Sequence, residues 1–130
     1  MSNVNESIEE DAALNWFAAL GYAQTNGLLI APCEPTSERD SFNEVILHGR
    51  LRDAIGRLNP AIPYEAQEEA VRKVLLVDVL SLIGNNRQLH RMLRDGVEVE
   101  YKRPDGSVAG DRVRLVDFND ANANDWLAVN

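Results

Sequence analysis

Apolar residues recur at helical spacing along most of the chain, and near residue 97 the period changes to two. Ser7-Ile8-Glu9-Glu10 has the form of a capping box, with Ser7 as N-cap and Glu10 reaching back to its amide. Ala13, Trp16, Phe17 and Leu20 follow as one apolar stripe, and Gly21 supplies the stop. A second helix is predicted over about residues 43–58, with Leu47, Leu51, Ala54, Ile55 and Leu58 on a shared face. The run "NPAIPYE" breaks it. Pro63 then serves as the first residue of a third helix through Val74, whose buried stripe is Ala66, Ala70, Val71 and Val74. A fourth helix is predicted around residues 81–94, closed by Asp95-Gly96. On it Asn86 interrupts the otherwise apolar line of Leu82, Leu89 and Leu93, so a buried Asn86 is expected to pin a neighbouring loop or hairpin.

Beyond the fourth helix, Val97, Val99 and Tyr101 alternate with Glu98, Glu100 and Lys102. Pro104-Asp105-Gly106 marks a turn into a second such run, so the pair is predicted to be a β-hairpin. Residues 24–41 are loop-like, with Pro32 and Pro35, and the apolar residues 28–31 within them are a candidate edge strand. An Asn/Asp-rich loop over residues 119–125 precedes Trp126-Leu127-Ala128-Val129, which reads as a strand of unidentified partner. The expected class is α+β: N-terminal helices, then an antiparallel β-hairpin and a terminal strand, in a single domain over residues 1–130.

At 130 residues and 45% apolar, the chain is long enough for one core. Its formal charge of −8, from 21 acidic residues against 13 Lys and Arg, opposes DNA binding by general phosphate neutralisation. Any nucleic-acid role would need a local patch. The single cysteine, Cys33, excludes an internal disulfide and a Cys-rich zinc site, and fits a reducing, cytoplasmic location. The chain opens on acidic and polar residues rather than an apolar leader, and no apolar run approaches the roughly 20 residues of a membrane span. No membrane association is expected.

Candidate chemistry is sparse. A G-x-x-x-x-G-K-[ST] phosphate loop is absent, and neither His48 nor His90 has a metal-ligating residue at suitable spacing. Both read as surface or packing residues. Cys33 follows Pro32 in a loop without a neighbouring base and makes a poor nucleophile. Glu100-Tyr101-Lys102 has the E-x-K form of metal-dependent nucleases, with both charged groups on one strand face. That chemistry also needs a carboxylate from a preceding strand, whereas Asp95 ends a helix and Asp78 falls in a helical linker. Alternating solvent-facing charges explain the match. Arg87, Arg91 and Arg94 form a basic stripe at i, i+4 and i+7, either a solvated helix face or a contact for DNA or a partner. Glu6, Glu9, Glu10 and Asp11 suit the start of a helix through capping and its dipole. The functional alternative is that one glutamate reaches a metal site built by strands elsewhere.

As a set, "ESIEEDAALNWFAALGY", "SERDSFNEVILHGRLRDAIGRLNP", "NNRQLHRMLRDGVEVEY" and "GDRVRLVDFNDANANDWLAVN" resemble the N-terminal region of the R subunit of type I restriction endonucleases. The resemblance covers nearly the whole chain, in order and with similar spacing. It implies the leading part of a restriction-endonuclease-like nuclease domain. R subunits join a nuclease to an ATP-driven DNA translocase and work with methyltransferase and specificity subunits to cut foreign, unmethylated DNA. Mg2+ and ATP are thereby implied for a full-length parent, and no cofactor for this chain. The family's Asp…Glu-x-Lys centre lies on strands after the segment resembling "DWLAVN", with the helicase motifs further on, so no catalytic residue is carried over. Related nucleases often add a glutamate from the first helix to the metal site. Glu6 is the first choice here and Glu10 the second, although Glu6 falls outside the helix that the capping box defines.

The resemblance therefore implies an N-terminal portion of an R subunit that supports the nuclease domain and is inactive alone. The alternative is a free-standing interaction domain docking on a restriction complex or an inhibitor. Direct DNA binding through the arginine stripe is a third reading. A terminal strand with an open apolar edge would favour strand-mediated self-association.

Overall fold

The computed structural model describes residues 6–76 and 81–130. In chain order the elements are α1 (Glu6–Ala19), β1 (Ala23–Thr25), α2 (His48–Leu58), α3 (Tyr64–Leu75), α4 (Leu82–Asp95), β2 (Val97–Lys102), β3 (Val108–Val113), a 3-10 turn (Ala121–Ala123) and β4 (Leu127–Val129). This is the expected α+β arrangement of helices, antiparallel hairpin and terminal strand. The elements fall into two compact units, one of Ile46–Asn124 and one of the residues up to Val45 with Asp125–Asn130.

The Ile46–Asn124 unit holds the main core. Pro63 sits just ahead of α3, where its fixed φ suits the helix entry and its missing N–H is not needed. The buried stripe of α3 is Ala66, Ala70, Val71 and Val74, as its periodicity predicts. Small residues at 66 and 70 let α3 lie close against its neighbours, and Ile55 of α2 packs into the same cluster. Val97 and Val99 of β2 and Val113 of β3 complete it from the sheet. Strands β2 and β3 pair antiparallel, with Val97 opposite Val113 and Lys102 opposite Val108. Their turn is closed by the Arg103 N–H donating to the Ser107 carbonyl at 2.8 Å, with Gly106 at φ 86°.

Helix α4 begins at a Ser81 cap whose hydroxyl accepts from the Gly84 N–H at 3.0 Å. It ends at Gly96, where φ is 85° and a Cβ would meet the Val113 carbonyl oxygen at 3.0 Å, so glycine alone fits. The apolar line proposed on α4 is rotated. Leu82 is 75% exposed and Leu93 40%, while Asn85, Leu89 and Met92 form the half-buried side. Asn86 is exposed and not buried in a seam, because the core selects the face one residue earlier. Helix α2 starts at His48, not near residue 43, since residues 43–47 are bends and extended backbone.

In the other unit, α1 begins at Glu6, so Ser7 lies inside the helix instead of capping it. None of its residues is buried; Trp16 is 73% exposed and Leu20 74%. Its contacts include the Gln24 side-chain amide donating to the Leu14 carbonyl and the Phe17 ring, 4.9 Å from Tyr22, which in turn lies 5.6 Å from Trp126. The expected edge strand at residues 28–31 is a series of turns, although Ile30 and Ala31 are buried. The strand instead occupies Ala23–Thr25 and is the partner of β4. The pairing is parallel, with Ala23 opposite Leu127 and Thr25 opposite Val129. The Ala23 N–H donates to the Trp126 carbonyl at 2.8 Å and the Gly27 N–H to the Asn130 carbonyl at 2.9 Å. A Cβ on Gly27 would lie 2.9 Å from that same carbonyl oxygen, so the chains meet closely only because residue 27 is glycine.

Candidate functional site

Glu10 is the candidate with the most defined surroundings. It lines a groove of about 480 Å³ with Ala13, Leu14, Phe17 and Tyr22 on one side and Leu127 to Asn130 on the other. Its place follows from helical spacing: residues 10, 13, 14 and 17 share one face of α1. Glu6 stands one turn earlier, inside the helix rather than before it, and both glutamates are exposed. Among the described residues no three His, Cys, Asp or Glu side chains gather closely enough to hold a metal ion. A divalent cation draws several oxygen donors from its surroundings. Among the described residues Glu6 and Glu10 are joined by no third side chain of that kind.

The E-x-K match falls on β2 as the alternation predicts. Glu98, Glu100 and Lys102 point outward from the core, and Tyr101 is half-buried. Glu98 is committed to Arg112 directly across the hairpin at 2.9 Å, and Lys73 to Glu69 at 3.2 Å. These are cross-strand and i, i+4 pairs of the usual surface kind. Asp95 lies at the end of α4 and is held by Arg94, with oxygen–nitrogen distances of 2.8 and 2.7 Å. The Arg94 hydrogen bond lowers the Asp95 pKa, and the same bond raises that of Arg94. Asp78, the other carboxylate weighed against Glu100, lies outside the described residues.

Arg87, Arg91 and Arg94 all lie exposed on α4. Cys33 is exposed and has φ 69°, a left-handed conformation within the turns that precede α2. His48 is half-buried at the start of α2 and His90 exposed on α4.

Sequence reasoning overlooked Asn59, which is the buried polar residue that its role for Asn86 required. Asn59 is 5% exposed, and its amide donates to the Ile55 and Arg114 carbonyls, each at 2.8 Å. Its side-chain oxygen accepts from the Arg114 N–H, also at 2.8 Å. Gln67 on α3 then donates to the Asn59 and Ile62 carbonyls at 3.0 and 2.9 Å. The end of α2, the start of α3 and the exit of β3 are thus tied by one satisfied network. Its only sequence signal was an asparagine directly after an apolar helical face and before Pro60. A second local network shapes the loop after it. Asp117 accepts from the Asn119 and Asp120 N–H groups, which lower its pKa, and Asn124 bonds back to the Asp117 backbone.

The sequence has counterparts among known proteins. Residues 3–130 match the family described as the type I restriction enzyme R protein N terminus. The chain belongs to that family. Among its relatives is the type I restriction enzyme HindI endonuclease subunit of Haemophilus influenzae, 32% identical over 127 residues, covering 98% of this chain and 12% of that protein. A Methanocaldococcus jannaschii protein named as a type I restriction enzyme MjaIXP endonuclease subunit is 29% identical over 130 residues, again covering 12% of its length. No solved structure matches the chain. This R protein N terminus therefore spans only a small part of the relatives it matches. Among the described residues no helix is long and apolar enough to cross a membrane.

Proposed function

We propose that this chain is the leading part of the nuclease domain of a type I restriction enzyme R subunit, supporting that domain without cutting DNA itself. The observation that carries the reading is the family match across residues 3–130. The sheet supports it in physical terms. Parallel strands occur almost entirely within larger sheets covered on both faces, and β1 and β4 make a parallel pair of three residues each. The terminal strand takes β1 and not the hairpin as its partner, which favours the start of a larger sheet over a self-contained interaction module.

In this reading the parent cleaves foreign, unmethylated DNA with Mg2+, hydrolyses ATP for translocation, and works in the cytoplasm with methyltransferase and specificity subunits. Glu10 lines the groove beside β4, and in this reading Glu6 or Glu10 would add one donor to a metal site completed elsewhere in the parent. Helices α2 and α3 and the hairpin serve as a rigid wall, secured by the Ile55 cluster and Asn59. The test is the reading frame beyond the Asn130 codon. The expected result is an in-frame Asp followed later by Glu-x-Lys; an uninterrupted frame lacking both would overturn the proposal.

A further inference from the structure

Charge is divided unevenly between the two units. Ile46–Asn124 contains twelve of the 13 Lys and Arg and twelve of the 21 Asp and Glu, so it is balanced, and the formal −8 belongs to the remaining residues. Within the balanced unit most cations near an acid are already committed. Arg52 pairs with Glu68 at 3.2 Å, Lys73 with Glu69, Arg112 with Glu98, and Arg94 with Asp95. Arg87 and Arg91, like Arg72, Lys102 and Arg103, are exposed without an ion-pair partner among the described residues; they differ in standing one turn apart on the same face of α4. The helix carries no acidic residue before Asp95. Leu89 and Met92 pack against the core and fix the rotation of α4. The arginine side is thereby held toward solvent.

We propose that this face of α4 is a docking surface for the phosphate backbone of duplex DNA, with Arg87 and Arg91 as the phosphate contacts. Arg87 and Arg91 stand about one helical turn apart, about 6 Å along the helix axis at the backbone. A duplex carries one charge per roughly 1.7 Å of its axis, so both arginines meet phosphates at once. Guanidinium groups suit this role through their planar, paired donors. Arg94, neutralised by Asp95, contributes less. Such contacts position DNA without reading its sequence. The choice of DNA over an acidic protein rests on the R-subunit reading.

The test is a fluorescence-anisotropy titration of a short labelled duplex with the full chain at several low salt concentrations. Two phosphate contacts give a slope of log K against log salt of about −2. The double variant Arg87→Ala/Arg91→Ala is expected to bring that slope close to zero, with each single change removing about one unit. Arg87→Lys/Arg91→Lys restores it by keeping the charges, and Arg52→Ala leaves it unchanged. Far-ultraviolet circular dichroism and thermal melting establish that each variant is folded. An unaltered slope in the folded double variant overturns the proposal, as does absence of duplex binding by the unaltered chain. Preferential binding of polyglutamate through the same arginines overturns it in favour of an acidic protein partner. A reading frame that lacks the catalytic motif, beside a slope that responds to these arginines, refutes the R-subunit reading and leaves the surface standing.

Discussion

Ile55→Ala is expected to destabilise the Ile46–Asn124 unit by about 3–4 kcal/mol, the range for truncating a fully buried branched side chain. Ile55 is 1% exposed and projects from α2 into the cluster formed by α3 and the hairpin. The neighbours of the site are poorly able to collapse into the gap. Ala66 and Ala70 are already small and sit on a regular helix, while Val97, Val99 and Val113 are held by the β2–β3 ladder. The cavity should therefore persist and add to the lost transfer free energy. Urea unfolding followed by circular dichroism reads the effect as a fall in midpoint at constant m. A loss below about 1 kcal/mol would mean that α2 does not pack as described.

Asn59→Ala should cost about 3 kcal/mol, because it removes hydrogen bonds and strands their partners. The Arg114 N–H and carbonyl both depend on the Asn59 amide, and the Ile55 carbonyl takes a third bond from it. Asn59→Asp should not rescue the loss. A carboxylate can still accept from the Arg114 N–H, but it cannot donate to the two carbonyls that face it. Hydrogen exchange gives a local reading: the Arg114 amide should lose protection more than amides in the middle of β2. Equal loss across the unit, or none, would argue against a specific clamp between α2 and the exit of β3.

These residues also show where the chain was legible. Helix α3 follows from Pro63 and four apolar positions at regular spacing, and all four are buried, because local period and tertiary demand agree there. The hairpin was equally plain, with alternation in β2 ahead of a Pro-Asp-Gly turn. Strand β1 was not. Ala23-Gln24-Thr25 is short, polar and without alternation, and its strand character comes from a partner distant in sequence. The face of α4 was misjudged by one residue, since two lines of apolar residues compete and only the position of the core selects between them. The candidate site was legible as a residue type and not as a geometry. Glu10 borders the groove beside β4, whereas Glu100 and Lys102 share a solvent-facing side of β2 where, among the described residues, no three metal-ligating side chains gather.

In the proposed function this segment supports a nuclease domain without cutting DNA itself. Incubation of the purified chain with supercoiled plasmid and Mg2+, with and without ATP, tests it most directly. The plasmid is expected to stay supercoiled even at protein concentrations high enough to bind it through α4. Magnesium-dependent nicking that co-purifies with the chain and disappears in Glu10→Gln or Glu100→Gln would contradict it.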